Sequence, residues 1–378
     1  MARVPSPASC CSIAIFDLHS SICDNLRIVR SSTTRAAVPR LKQAKVPADA
    51  GLTDARLGRI IRLLTDHAMV VMSGTKLAAE IGTSRSEVWR LVQQLRGLGV
   101  DIAGHPATGY TLDRVPELLL PEVLAPLLKG TLFARGLHHY FKTASTNTAA
   151  VEAAAAGEPE GTVLLAEEQT AGRGRGGHTW HSARSAGIYC SVILRPPMAP
   201  ADVLPLSLLA GLAVRAAVEQ VCGIVPDLRW PNDLLLGDKK FCGILTELNA
   251  EVTRVRHAVI GVGINVNQES FPADLDEIAT SLRRETGQAW SRVELTAALL
   301  KSLDREYKNL VAGEAGARQA ILRRFEESSS YARGRRVRVD ENGGYEGVTE
   351  GLDSRGFLQV RTATGLRTVL SGSVRALP

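Results

Sequence analysis

Aromatic residues are scarce, at 4% of the chain, and cysteine is scarcer, with six in 378 residues at positions 10, 11, 23, 190, 222 and 242. No CxxC pair occurs, which excludes a zinc finger of the usual ligand spacing and a disulfide framework and leaves reduced, mostly buried thiols. No metal site is expected. Long apolar runs are missing too. The richest, Leu204 to Val221, is interrupted by Ser207, Arg215, Glu219 and Gln220, so no membrane span and no membrane partner are expected. The short apolar stretch Ser12 to Phe16, followed by Asp17, is too brief for a signal peptide. What is present is 45% hydrophobic and 22% charged content, enough for two or three soluble domains in a cytoplasmic protein. A net charge of +6 and a pI near 9.1 lean towards anionic partners such as nucleotides or nucleic acid.

Residues 1 to 50 are rich in Ser, Ala, Pro and Arg and lack periodicity, so they read as a disordered or mis-called extension. Residues 55 to 113 carry apolar stripes at helical spacing: Leu57, Ile60, Ile61 and Leu64, then Leu77, Ala78 and Ile81, then Val88, Leu91, Val92 and Leu95. Between the second and third stripes, Gly82 permits a tight turn and Ser84 can cap a new helix with Glu87 three residues on. Two short strands around a Gly/Pro loop follow, so the segment reads as a winged helix-turn-helix. Ser84, Arg85, Ser86, Arg90, Gln93 and Gln94 would offer donors to phosphates and base edges. A bare three-helix packing module is the competing reading.

A turn-rich link from Asp113 to Pro126 leads to a larger region, about 130 to 328, with strands expected at Thr162–Ala166, Gly187–Leu194, Asp227–Leu236, Phe241–Leu248 and His257–Val266. Amphipathic helices are expected at Leu204–Val221 and Arg292–Leu310, giving an α+β domain with a mixed sheet. From 332 to 378 short strands alternate with glycine turns, as in a small SH3-like β-barrel. Arg333, Arg335 and Arg336 read as a solvated linker into it, and His138–His139 as a packing or surface pair.

The densest chemistry is Gln169-Thr170-Ala171-Gly172-Arg173-Gly174-Arg175-Gly176-Gly177-His178-Thr179-Trp180. Its glycines let backbone N–H groups approach an anion while Arg173 and Arg175 supply fixed charge. It lacks the Gly-Lys-Ser/Thr of a Walker A loop, and no helix opens after it as a dinucleotide fingerprint requires. A flexible Arg-Gly loop is the plainer alternative. Arg229-Trp230-Pro231-Asn232-Asp233, Lys240-Phe241-Cys242-Gly243-Ile244-Leu245 and Gly261-Val262-Gly263-Ile264-Asn265 each join glycine or proline to a polar residue that is costly to bury unpaired.

These elements, with Ser145-Thr146-Asn147 ahead of them, resemble in order and spacing the family of bifunctional biotin-protein ligases and biotin operon repressors. The resemblance runs from about residue 55 to the end. It implies that the central domain is related to class II aminoacyl-tRNA synthetases. It implies biotin contacts from Ser145, Thr146, Asn147, Gln169, Arg173, Gly174, Arg175, Arg229 and Gly243, and adenylate contacts from Gly172, Trp180, Asn232, Lys240 and Asn265. Arg229, Arg173 and Arg175 would be the catalytic cations, with Lys239 or Lys240 as lesser candidates; lysine is the residue expected at 229, so the arginine there bears on rate. Biotin and ATP would be substrates, with Mg²⁺. The carboxylate would attack the α-phosphate, and a lysine of a biotin carboxyl carrier protein would take the biotinyl group. Operator DNA and a homodimer in the adenylate-bound state would complete the picture. Two alternatives stand beside it: a non-catalytic biotin-sensing regulator, and an acyltransferase for lipoyl or octanoyl groups.

Overall fold

The computed structural model describes residues 27–28, 48–67, 70–98, 100–105, 108–112, 117–313 and 316–377. Most of the extension expected over residues 1 to 50 lies outside the described residues. Arg27–Ile28 (β1) runs parallel to Glu247–Leu248, and the first helix begins at Ala48 rather than after residue 55.

Three helices, α1 (Ala48–Asp66), α2 (Gly74–Ile81) and α3 (Arg85–Gly97), form the head, followed by the antiparallel pair β2 (Ile102–His105) and β3 (Gly109–Leu112). The apolar stripes read from the sequence from Leu57 to Leu95 are all buried there in one core. Each short helix starts where its sequence provides a cap. The Ser73 hydroxyl accepts from Lys76 N and the Ser84 hydroxyl from Glu87 N, while Gly82, at φ 68°, ends α2 in the left-handed conformation.

The link is less irregular than expected. Pro121–Leu127 forms a helix, α4, and Leu119, Leu120 and Leu124 are buried, because proline at the first helical position costs no hydrogen bond. The central domain comprises β4 (Leu137–Tyr140), α5 (Thr146–Ala156), β5 (Val163–Ala166), β6 (Gly187–Leu194), α6 (Leu204–Cys222), β7 (Asp227–Arg229), β8 (Asp233–Leu236), β9 (Lys239–Ala250), β10 (Val255–Asn265), α7 (Leu282–Thr286), α8 (Arg292–Val311) and α9 (Ala317–Glu327). Its sheet has the order β4-β5-β6-β10-β9-β8-β7 and is mixed: β4 and β5 are parallel and the other neighbours antiparallel. One expected strand, Asp227–Leu236, is two. Pro231 has no N–H for a ladder, the Trp230–Pro231 bond is cis, and the chain reverses so that Arg229 pairs with Asp233.

Residues Pro200–Cys222 are long and apolar enough to cross a membrane, contrary to the expectation from the interrupting polar residues. In this fold α6 instead packs against β9 and α8, and most of its residues, from Leu206 to Val218, are buried in the main core. The tail is a five-stranded antiparallel sheet, β14-β13-β12-β11-β15, made of β11 (Arg333–Val339), β12 (Tyr345–Leu352), β13 (Leu358–Thr362), β14 (Gly365–Val369) and β15 (Val374–Ala376), whose buried residues include Val337, Val339, Leu358, Val360, Val369 and Val374. Arg333, Arg335 and Arg336 are exposed positions of its first strand rather than a linker.

Candidate active site

One cavity gathers most of the polar and glycine motifs. It is lined by Ser145, Thr146 and Asn147 at the start of α5, by Gln169, Arg173, Gly174, Arg175 and Trp180, by Tyr189 and Cys190 of β6, by Asn232, by Lys240 and Gly243–Leu245 of β9, and by Gly261–Gly263 of β10. Its free volume is about 40 Å³, room for a few water molecules. Side chains and flap fill the rest, so a ligand of biotin's size requires them to move.

The inner wall is a connected polar network. Gln169 Oε1 accepts from Thr146 N (2.8 Å), and its Nε2 donates to Ser182 Oγ (2.8 Å). Ser191 Oγ lies 2.8 Å from Thr146 Oγ1 and 2.6 Å from Asn147 Oδ1, which accepts from it. Asn147 Nδ2 reaches Leu245 O and Glu247 Oε2, each at 3.2 Å. Gly261 is glycine for a steric reason: a β-carbon there would lie 1.9 Å from Asn147 Oδ1. Gly243 and Gly263 face each other across β9 and β10, and β-carbons on them would stand 3.0 and 2.6 Å from the Trp180 indole, which therefore rests on bare backbone. Trp180 Nε1 is buried with no hydrogen-bond partner. Burial pushes the Cys190 thiol up to about 12 and raises the Tyr189 hydroxyl as well, so both are neutral wall rather than nucleophiles.

Across from this wall, residues 172–180 fold back as a flap. Trp180 N donates to Gly172 O (2.9 Å), Gly174 N donates to His178 O (2.7 Å), and Gly176 and Gly177 turn the tip at φ 64° and 83°. A β-carbon on Gly172 would lie 2.4 Å from Trp180 O, so the hairpin closes only on glycine. Arg173 Nη2 donates to the buried Glu247 carboxylate (2.6 Å) and its Nη1 to Thr148 Oγ1 (3.3 Å); Arg175 Nη1 donates to Gly372 O (2.8 Å) in the tail.

Cations divide differently from the expectation. Lys240 lines the cavity, with Nζ 2.5 Å from Asp233 Oδ1 and 5.4 Å from the Trp180 ring centroid. Arg229 is not among the lining residues. Its Nη2 donates to Asp233 Oδ2 (2.8 Å) and its guanidinium lies 6.0 Å from the Tyr331 ring. Burial alone would raise the Asp233 carboxyl, but Lys240 and then Arg229 hold it below the usual carboxylate range, so it is an anchored counter-ion for both. Asn265 is also outside the lining: it is buried, donates to Thr280 O (3.0 Å) and accepts from Gln268 Nε2 (3.1 Å). Lys239 points away, its Nζ donating to Asp276 O (2.9 Å). Asn232 does line the cavity while its Nδ2 and O bond to the backbone of Ile244.

Sequence reasoning missed Glu247, Ser191 and Tyr189, which lie inside apolar strands and carry no local signal beyond being polar there. It also missed Glu167, a fully buried carboxylate at the end of β5. It accepts from Arg292 Nη1 (2.8 Å), His139 Nε2 (3.2 Å), Leu119 N (2.9 Å) and Ser185 Oγ (3.0 Å). His139 is thus a packing histidine, as the sequence suggested.

In the head a groove of about 360 Å³ runs between α3 and the β2–β3 wing, lined by Ser73, Gly74, Thr75, Arg85, Trp89, Gln93 and Arg96 on one side and by Gly104, His105, Thr108, Gly109 and Tyr110 on the other. Of the residues expected to face DNA, Arg85 and Gln93 line it. Ser84 is engaged as the helix cap and lies 2.9 Å from the Ser86 hydroxyl; Arg90 is held by both oxygens of Glu87 (2.9 and 2.7 Å); and Gln94 turns its Oε1 into a buried position.

This three-part chain, with a polar, cation-lined site under a glycine-rich flap in its middle, has the build of a protein ligase carrying an HTH head. The biotin/lipoate A/B protein ligase family matches residues 140–265, a biotin protein ligase C terminal domain matches 334–375, and an HTH domain matches 56–111. The chain belongs to the biotin protein ligase family. It is similar to the bifunctional ligase/repressor BirA of Bacillus subtilis (strain 168), 34% identical over 318 residues that cover 83% of this chain and 97% of that protein. It is also similar to the bifunctional ligase/repressor BirA of Escherichia coli (strain K12), 29% identical over 80% of this chain and 92% of that protein. Among solved structures, the biotin protein ligase from Aquifex aeolicus in complex with biotin and ATP superimposes with a TM-score of 0.56 at 31% identity, over 64% of this chain and all of that one.

Proposed function

We propose that the chain is an ATP-dependent biotin-protein ligase that also represses transcription through its head. The relatives' names and the ligands of the Aquifex aeolicus structure support this reading. The observation that carries it is the cavity itself: a hydrogen-bonded wall of Ser145, Thr146, Asn147, Gln169 and Ser191 faces the cations of Arg173 and Lys240 under a glycine hinge. The wall suits a neutral, polar ring with its own N–H and C=O groups. The cations suit the carboxylate and phosphate that must be brought together.

In the first step the biotin carboxylate oxygen attacks the α-phosphorus of ATP and pyrophosphate leaves; in the second a lysine amine attacks the acyl carbon, AMP leaves, and the amine loses its proton. Both reactants of the first step are anions, so neutralising charge is the main task. Lys240, positioned in the cavity by Asp233, is the better candidate for that role than Arg229, which acts here as a brace for the same carboxylate. With Lys240 in place, the arginine at 229 gives no reason to read the domain as a catalytically silent sensor. Trp180, with its unspent Nε1 donor, would take the adenine, and the flap would shield the mixed anhydride from water. Mg²⁺ would arrive on the nucleotide phosphates, since the described residues contain no group of three His, Cys, Asp or Glu able to hold a metal ion.

The remaining parts of the reading are a biotin carboxyl carrier protein as acceptor, operator DNA in the α3–wing groove, and a homodimer in the adenylate-bound state. Their domain bounds would be 55–113, 130–328 and 332–378, with an SH3-like curl to the tail sheet and a central domain akin to class II aminoacyl-tRNA synthetases. Incubation of the full chain with biotin, ATP, Mg²⁺ and a biotin-acceptor domain should add one biotinyl group to the acceptor by mass. No mass gain, together with no biotin-dependent pyrophosphate release, would refute the ligase.

A further inference from the structure

Between the cavity and the head runs the segment 181–186, and it is held at both ends by groups of the central domain. At its start Ser182 Oγ accepts from Gln169 Nε2 (2.8 Å), directly behind Trp180. At its far end Ser185 sits at φ 51°, a conformation that is strained for a non-glycine residue, and is fixed there by two bonds to one residue: its N donates to Glu167 O (2.8 Å) and its Oγ to Glu167 Oε2 (3.0 Å). Between these anchors the exposed Arg184 reaches out of the central domain, and its Nη2 donates to Gly97 O (3.2 Å) on the last residue of α3. A helix end presents unpaired carbonyls and partial negative charge, so a guanidinium is suited to that place.

The same buried Glu167 also holds the link to the head. Leu119 N donates to its carboxylate (2.9 Å), and Arg292, which donates to it as well, gives a further hydrogen bond to Glu117 O. Elsewhere the junction is loosely filled: a cavity of about 400 Å³ separates α1, the link and the start of α8, lined among others by Ile61, Thr65, Leu118, Val123 and Val293. The head is thus joined to the central domain by apolar packing of Leu118, Leu120 and Phe141 against its core and by polar points around Glu167 and Arg184, the latter beside an open space.

We infer that Arg184 is the residue that carries the state of the flap to the DNA-reading helix: when a ligand re-orders residues 172–180, the anchored segment 181–186 transmits the change to the carboxyl end of α3 through the Arg184–Gly97 contact. This rests on the reading that the cavity takes biotin and ATP. Arg184 lies outside the cavity and the flap, so its replacement leaves the chemistry alone.

The test is amide hydrogen exchange on the full chain, with and without biotin plus Mg·ATP, for the wild type, Arg184→Ala and Arg184→Lys, with acceptor biotinylation measured on the same samples. In the wild type the ligands should slow exchange over 172–186 and change it over 94–98 by about two- to fivefold, the range one hydrogen bond of this kind supports. In Arg184→Ala the change over 172–186 and the biotinylation rate should persist while the change over 94–98 disappears, and Arg184→Lys should restore part of it. A full response over 94–98 in Arg184→Ala, or none there in a wild type whose flap responds, would overturn the inference. A wild type whose flap does not respond at all would overturn the functional reading as well.

Discussion

The two faces of the cavity are built in opposite ways. The sheet face is saturated: Asn147, Ser191, Thr146 and Gln169 bond to one another, and Gly261 is excluded from carrying any side chain by 1.9 Å of clearance to Asn147. The flap face is light. Its tip glycines are exposed, and the partners of its two arginines include one carboxylate, one hydroxyl and one carbonyl. A saturated wall cannot adapt, so it can only select; a lightly held flap selects little, but it can open and close. On the proposed function, recognition and charge placement would fall to β9, β10 and the start of α5, and retention to residues 172–180.

The largest effect should come from the fixed face. Lys240→Ala removes the one ammonium that the sheet points into the cavity and should lower the rate of biotin-dependent pyrophosphate release by about 10²–10³, the usual range for losing one preorganised charge donor. Biotin affinity should change far less, since the polar wall is untouched. A rate within tenfold of the wild type would break the comparison, because it would mean that the flap arginines alone supply the charge.

The flap's outgoing end is anchored more firmly than the flap itself, and pH can show this. Burial would raise the Glu167 carboxyl, but the hydrogen bond from His139, the charge of Arg292, the charge of His139 and the N–H of Leu119 outweigh it and bring the group from its ordinary 4.5 to about 2. Because the folded state holds the proton less tightly than the unfolded chain, Glu167 contributes its full stability above about 4.5 and loses it as pH falls towards about 2. The loss amounts to about 3 kcal/mol. Urea unfolding from pH 6 down to pH about 2.5 should show most of this contribution in the wild type, and the fall in stability over that range should be smaller by nearly that amount in Glu167→Gln. Equal falls would show that the anchor is as light as the flap.

How much of this could be read from sequence depends on how far apart the partners lie. Gln169, Gly243 and the stretch Arg173 to Arg175 were legible because glycines and polar residues beside apolar strands are expensive unless something uses them, Ser145, Thr146 and Asn147 only through the family resemblance, and all of these line the cavity. The three helices of the head were legible from period alone. Arg229 was not, because its position depends on a chain reversal at Pro231 that turns it onto Asp233. Arg90 and Gln94 fell to the same kind of ambiguity: helical spacing says which residues are outside, but not that Glu87 holds one of them and that the other turns inward. Glu167 was invisible because its partners come from 48 residues upstream and 125 downstream, and nothing local marks such a carboxylate as paired.

Arg175 gives the smallest and most discriminating test of the light face. Its guanidinium crosses from the flap to the tail sheet, where Gly372 O accepts from Nη1, and Gly372 stands at φ 90° with a β-carbon position 2.3 Å from Asp340 O, so the accepting carbonyl is fixed in place. Arg175→Ala keeps the wall, Lys240 and Trp180, and should leave adenylate formation nearly intact. It should release biotinyl adenylate about tenfold faster, the scale of one charge-assisted hydrogen bond, and raise biotinylation of lysines on bystander proteins accordingly. Dissociation of preformed adenylate, followed by rapid dilution, reads this directly. If the adenylate leaves no faster than from the wild type, retention belongs to the saturated wall, and the flap is an ornament of the site rather than its lid.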